Sequence, residues 1–352
     1  SASETSFTGK NSYLNVRAGL DYAFTPELTL GLNLSYTPEK DRPVRQNDTR
    51  DYRIAPNGSL ELLRSLPGTA DELEKGSYTS ANVHLEKSFK GTPKRRLSWD
   101  LDFAGYRQEE GRNFASRGFT PQGALIPGSD FRFNGTTNQH TDSYITSLDY
   151  TEPLGKGTLS FGAKGTWTRT RNTNDYDALS TIGERHDKIL FDEHVYALYA
   201  DLNQPLSAKW SLRSGLRMEY THTAGENNGR RLENLRSYLN IFPTLFIGYN
   251  PNERHAFSLD ATVRLNRPHF SQLSPFPNYE NQYSILIGKE DLRASKRAHL
   301  ALGYTFLGVL NFQLGGGYLW DGITQVVRLD PTTNQGSYTH ENAEKTWTFG
   351  LE

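Results

Sequence analysis

Along most of this chain apolar and polar residues alternate one by one, and the 3.6-residue period of an amphipathic helix is almost absent. From Trp210 onward, Trp210, Leu212, Ser214, Leu216, Met218 and Tyr220 share one face, while Ser211, Arg213, Gly215, Arg217 and Glu219 share the other. Likewise Phe257, Leu259, Ala261, Val263 and Leu265 alternate with Ser258, Asp260, Thr262 and Arg264. Successive side chains of a strand point to opposite faces, so each segment predicts a strand with one apolar and one strongly polar face. Thirteen segments carry the pattern, at 12–24, 28–37, 77–89, 97–107, 139–152, 157–169, 194–205, 210–222, 239–250, 254–265, 296–306, 309–329 and 337–352. Most exceed the ~5–6 residues of an ordinary strand and reach the ~9–11 that a tilted strand needs to cross a bilayer.

The connections sharpen this reading. Thr25 to Glu27, Gly91 to Arg96, Pro153 to Lys156, Leu206 to Lys209, Pro251 to Glu253 and Leu307-Gly308 are short. The links 38–76, 108–138, 170–193, 223–238, 266–295 and 330–336 are longer, and the two kinds alternate throughout. An up-and-down meander then has tight turns at one end and large loops at the other. Outer-membrane barrels sort their connections in this way, whereas a soluble sandwich has no reason to. Aromatic residues on the apolar faces agree: Phe24, Phe89, Trp99, Trp210 and Phe306 fall beside short turns, and Tyr36, Trp167 and Tyr220 near the long-loop ends. Two such girdles suit the headgroup layers, which amphipathic rings favour. Pro243 lies inside a predicted strand, where it removes a ladder donor, and a bulge is expected there.

Composition changes the picture less than it first suggests. The chain has 352 residues, with 39 Lys and Arg against 40 Asp and Glu, which excludes a nucleic-acid binder acting through bulk positive charge. Only 35% of residues are hydrophobic and the mean hydropathy is −0.68, figures that exclude a helical membrane protein but not a barrel, in which one strand residue in two meets lipid. No apolar run is long enough for a transmembrane helix, and the absence of cysteine removes disulfides, thiolate metal sites and a Cys nucleophile.

Candidate chemistry is sparse. The histidines, among them His84, His186, His194 and His299, have no metal-ligand spacing, and no nucleophile elbow occurs. Gly315-Gly316-Gly317 lacks the helix that a phosphate loop requires. Asp100, Asp102, Asp201 and Asp260 read as wall charges balanced by Arg213, Arg217, Arg264 and Arg297. No catalytic residue, cofactor or metal ligand is therefore assigned, and no enzyme is expected. Ligand contacts should concentrate in the long loops, because the strands are committed to lipid on one face. Tyr52, Phe114, Phe119, Phe131, Phe133, Tyr176 and Tyr279 are the aromatic candidates, with loop packing as the competing role. Thr69 to Glu72 has capping-box spacing and predicts the start of a short helix.

The stretch Arg264-Leu-Asn-Arg267-Pro268-His-Phe270-Ser-Gln-Leu273-Ser-Pro275-Phe276 resembles the Arg-Ile-x-Arg-Pro-x-aromatic-x-x-Leu-Asn-Pro-Phe signature of TonB-dependent outer-membrane receptors, in the β-barrel subfamily common among Bacteroidetes. Leu216 to Tyr220 and Phe242 to Leu245 look like barrel segments of the same family, which carries a proline at the place of Pro243. The likeness is specific over 210–306 and extends to most of the chain in layout. It departs at Ser274, where the family has Asn, and at Lys289 to Ser295, where the family reads Asn-Pro-x-Leu-x-Pro-Glu. The family's N-terminal plug and TonB-contacting segment have no counterpart in this sequence. Its large transporters have about 22 strands, and the alternating pattern still runs at Glu352.

The reading is an all-β fold, an antiparallel up-and-down transmembrane β-barrel. Residues 1–352 are expected to form part of one barrel domain, thirteen strands of about 22, with plug and terminal strands supplied elsewhere in a longer parent. The resemblance implies a bacterial outer-membrane receptor that imports a scarce nutrient, whether siderophore, haem, glycan or peptide, with energy from the inner membrane. Its implied partners are the bilayer, the plug, a TonB-type coupling protein and a small ligand. The competing readings are a non-transporting barrel, such as an adhesin or passive pore, and a soluble all-β binding module.

Overall fold

The computed structural model describes residues 2–233, 237–330 and 335–351. The chain opens with β1 (Ala2–Thr8), β2 (Asn11–Tyr13), β3 (Val16–Thr25), β4 (Leu28–Asp41), β5 (Val44–Ile54), β6 (Leu60–Phe89) and β7 (Thr92–Ser116). It continues through β8 (Phe131–Leu154), β9 (Gly157–Tyr176), β10 (Arg185–Pro205), β11 (Trp210–Asn227), β12 (Arg230–Arg231), β13 (Tyr238–Asn252) and β14 (His255–Asn266). A single helical turn, α1 (Phe270–Leu273), then leads to β15 (Asn278–Asn281), β16 (Ser284–Leu286), β17 (Ser295–Phe306), β18 (Leu310–Leu329) and β19 (Gly336–Leu351).

Thirteen of these strands form one antiparallel meander in the order β3-β4-β6-β7-β8-β9-β10-β11-β13-β14-β17-β18-β19. They correspond one for one to the thirteen alternating segments. Among the described residues the sheet is open: β3 is paired only with β4, and the far side of β19 meets only the short β16, in parallel. Register keeps like faces together across the sheet. Leu85, Trp99 and Leu148 are successive neighbours, as are Leu198, Met218 and Ile241. The resulting outer face leaves Leu198 58%, Leu300 51% and Leu302 51% exposed. An apolar surface of that extent is a lipid-facing wall and not a surface for water.

Near the short turns five rings form a continuous row across five strands. Trp210 stacks on Tyr249 at 4.2 Å, Tyr249 on Phe257 at 6.0 Å, Phe257 on Tyr304 at 4.9 Å and Tyr304 on Phe312 at 6.2 Å. A second, less regular row joins Phe103 to Tyr144, Trp167 to Tyr196 and Tyr318 to Trp347. From Trp210 to Tyr220 a strand rising ~3.3 Å per residue and tilted by ~40° climbs ~25 Å, the height of an outer-membrane apolar band. The opposite, inner face is polar and bonds within itself. Asn82 donates to Asp102 at 2.7 Å, Tyr199 donates to Asp149 at 2.6 Å, and His84 pairs with Asp100 at 2.7 Å.

Three expectations are corrected. The links 38–76, 108–138 and 170–193 are largely strand: β6, β7, β8, β9 and β10 run well past the upper girdle and stay paired as far as Ser116 opposite Phe131. Above the girdle both faces are wet, so alternation no longer marks the strand although the ladder continues. Thr69 to Glu72 is strand, not helix, because β5 and β7 satisfy its backbone on either side. Pro243 makes no bulge. It stays in register opposite Leu216, and the β13–β14 ladder begins only at the next residue, Thr244. The proline thus marks the level at which these two strands part.

Leu216 and Arg217 are neighbours on opposite faces, so a guanidinium that is native on one side should be costly on the other. Leu216→Arg should destabilise the barrel by roughly 2–4 kcal/mol, whereas Ser147→Arg on the inner wall should be tolerated. A gel-shift unfolding assay after outer-membrane assembly measures both, and equal tolerance of the two would refute the assignment of faces.

Candidate functional site

Where β13 and β14 part, the chain leaves the wall. Asn266 ends β14, and Pro268, which has no backbone donor, holds Arg267 extended and turns the segment inward. The turn α1 follows, with the Gln272 side chain accepting from the His269 N–H at 2.9 Å. Ser274 precedes Pro275 in extended geometry. The returning backbone then packs on this turn: Gly288 N–H donates to Ser274 O at 2.8 Å, and Lys289 N–H to Gln272 O at 2.7 Å. A Cβ on Gly288 would lie 2.4 Å from Ser274 O, so only glycine fits. Residues 267–294 thereby form a strap over the inner face at the long-loop end.

One side of the strap is fixed to β10 and β11. Arg267 Nη2 donates to Glu219 Oε2 at 2.7 Å and to Thr221 Oγ1 at 3.1 Å, and its Nε lies 3.8 Å from Glu193. Arg217 Nε donates to the other Glu219 oxygen at 2.6 Å, so two guanidiniums hold one buried carboxylate. Phe276 is buried with Ile189 and Leu232, and Phe270 packs against them. The other side reaches β6 to β9. Arg112 lies 3.0 Å from Glu72, donates to Glu280 Oε2 at 3.1 Å and sits 5.6 Å over the Phe133 ring. Ser116 donates to Gln282, and Arg64 lies over Tyr283 at 5.2 Å. Between strap and wall is a cavity of ≈ 240 Å³ lined by Phe191, Glu193, Tyr238, Asn240, Leu273 and Glu290, among others. The buried Nδ2 of Asn240 makes no hydrogen bond among the described residues. The arrangement suits small polar molecules.

A family model described as the outer membrane protein β-barrel family matches residues 87–352. The chain belongs to that family. It therefore lies in the bacterial outer membrane, and the strap sits at the end where such barrels carry their long extracellular loops. No curated protein matches the chain. Among solved structures, similar ones are the alcaligin outer-membrane receptor FauA from Bordetella pertussis (13% identity, TM-score 0.46, covering 99% of this chain and 57% of that one); the siderophore receptor PirA from Pseudomonas aeruginosa (14%, 0.45, 99% and 62%); and the ferric preacinetobactin receptor BauA from Acinetobacter baumannii (12%, 0.47, 99% and 58%). The chain thus spans about three-fifths of the length of these receptors.

Within this outer-membrane barrel, Phe114, Phe131, Phe133, Tyr176 and Tyr279 come together in one cluster with Ala70 and Ile182. Phe114, Phe133 and Tyr176 are buried in it, and burial pushes the Tyr176 hydroxyl up to about 12. Tyr52 and Phe119 stand apart, Tyr52 on β5 opposite Leu62 and Phe119 bridging Ser65 and Leu125. Of the signature residues, Arg267, Pro268, Phe270, Leu273, Pro275 and Phe276 belong to the strap, while Arg264 stays on β14. Sequence reasoning missed Glu72, Arg112, Glu193 and Asn240. Each sits at an inward position of a strand, a signal that says which way a side chain faces but not what meets it.

Removing Arg267 takes one of two partners from Glu219, which is only 8% exposed. Arg267→Met should cost about 3 kcal/mol, the low end for breaking a buried ion pair, and Arg267→Lys should recover only part. Thermal unfolding, with proteolytic release of the 267–294 segment, reads both. A second expectation concerns Glu110, which lies above the membrane directly opposite Glu74. Burial, reinforced by Glu74 and Glu72, raises its carboxyl above the usual range. A raised carboxyl favours the folded form while protonated; that contribution is complete below about pH 4.3 and is lost as pH climbs through the raised value. Amide exchange in 60–76 and 107–116, corrected for intrinsic rate, should be slower at about pH 5 than at about pH 8, and Glu110→Gln should remove the difference.

Proposed function

We propose that this chain is most of the barrel wall of an outer-membrane importer, which captures a scarce nutrient at the extracellular end and admits it through the barrel when an energised inner-membrane partner acts on a plug. One observation carries the reading: a polar, self-bonded inner wall is capped at its outer mouth by a strap anchored through Arg112 and Arg267. A hydrated interior with a fastened mouth suits gated passage better than a standing pore. Closure also supports a longer parent. β3 and β19 both run from the loop end toward the turn end, so an all-antiparallel barrel needs an odd number of further strands between them. Nine more would make about 22, the size that leaves a lumen filled by a plug. The nutrient classes are siderophore, haem, glycan and peptide, taken up through a TonB-type coupling protein.

The test is genetic and electrical, on the full-length parent. Deletion should abolish growth on one member of a panel of ferric siderophores, haem, oligosaccharides or peptides as sole source, and loss of the coupling protein should have the same effect. In planar bilayers the purified receptor should be electrically silent. Steady conductance with no growth defect would instead establish a passive pore, and neither effect would leave an adhesin.

A further inference from the structure

Arg264 is the one signature residue that the strap does not use. It lies on β14 directly opposite Arg297 of β17. Both point to the inner face, since Val263 and Ala298 beside them are a pair on the lipid side. Both are exposed, and neither has an ion pair or side-chain hydrogen bond among the described residues. Like charges directly opposite one another in a ladder destabilise it. The nearest acid on that face of β14 is Asp260, two rows toward the turn end, and Asp321 is taken by Arg293 at 2.8 Å. On its other side Arg264 has no strand neighbour, because the β13–β14 ladder stops at Thr262.

On β18 the wall beneath the pair has no side chain at two successive inward positions. One row down, Thr262 faces His299, whose neighbour on β18 is Gly317, and Gly315 follows opposite Ala301. A Cβ on Gly315 would meet nothing closer than the His299 ring at 3.7 Å. A depression of ≈ 240 Å³ lies beyond them toward β19, lined by His299, Gln313, Gly315 and Thr348 among others and by neither arginine. Two guanidinium forks side by side on one face are matched to a planar or tetrahedral oxyanion, which each fork can grip with two N–H groups.

We propose that Arg264 and Arg297 form an anion-binding site on the inner wall, built for one carboxylate or phosphate group. The proposal rests on the fold and not on the transport reading. The anion has two sources: a side-chain carboxylate of the parent chain inside the barrel, or an acidic group on a molecule passing through it.

Unfolding midpoints of the full-length protein in detergent, with and without millimolar inorganic phosphate at constant ionic strength, test the site. If an internal carboxylate fills it, Arg264→Gln and Arg297→Gln each lower the midpoint by about 2 °C or more, Lys variants fall between, and phosphate changes nothing. If the site serves a free anion, phosphate raises the wild-type midpoint and leaves both Gln variants unmoved. Gln variants with an equal or higher midpoint, together with indifference of the wild type to phosphate, would show simple like-charge repulsion and overturn the proposal.

Discussion

Backbone hydrogen bonding governs this structure. In the hydrocarbon layer no water is available to an unpaired N–H or C=O, so a strand survives there only with a neighbour on each side. The order of the meander, the length of its strands and the shortness of its turns follow from that condition. Side chains are then free to divide by face: Leu198, Met218 and Ile241 to lipid, Tyr199, Arg217 and Asn240 inward. The folded wall has no apolar core between these faces. Its apolar stabilisation comes from the bilayer, which explains why so many large aliphatic residues stand uncovered. Pro243 lies where the β13–β14 ladder stops, so its missing donor breaks no bond with β14.

A conventional core appears only above the membrane, where water returns. There Phe114, Phe133 and Tyr176 pack with Tyr279, and Ile189 and Leu232 with Phe276. In both cases the strap supplies a ring and an arginine fixes the geometry. Arg112 joins Glu72 on the wall to Glu280 on the strap; Arg267 carries a charge from the strap to Glu219 on the wall. Buried pairs of this kind contribute little net stability, but removing one partner is expensive, so they specify where the strap lies. The acidic crowding around Glu110 and the opposed Arg264 and Arg297 belong to the same economy, in which the inner surface keeps its charges available.

Much of the wall was legible because lipid on one side and water on the other impose a period of two on every spanning strand. All thirteen spanning strands could be marked from that period, and the sorting of short and long connections told which end was which. The signal failed where its cause failed. Above the girdle both faces are wet, so the upper halves of β6 to β10 carry no alternation and read as loops, and a capping-box spacing at Thr69 to Glu72 outweighed a ladder that only the neighbouring strands supply. Aromatic residues of the long links could be named but not placed. Phe114 and Tyr279 are far apart in sequence, and only the path of the strap brings their cluster together.

The sequence by itself therefore determined which residues meet lipid, how many strands cross and in which sense they run, since these depend on local alternation and short turns. Tertiary structure alone decided that the strap crosses the inner face, that Arg267 meets Glu219, and that Arg264 faces Arg297 across the β14–β17 ladder. Those contacts join residues from different strands and loops, and no periodicity within one segment encodes the partner of a side chain in another.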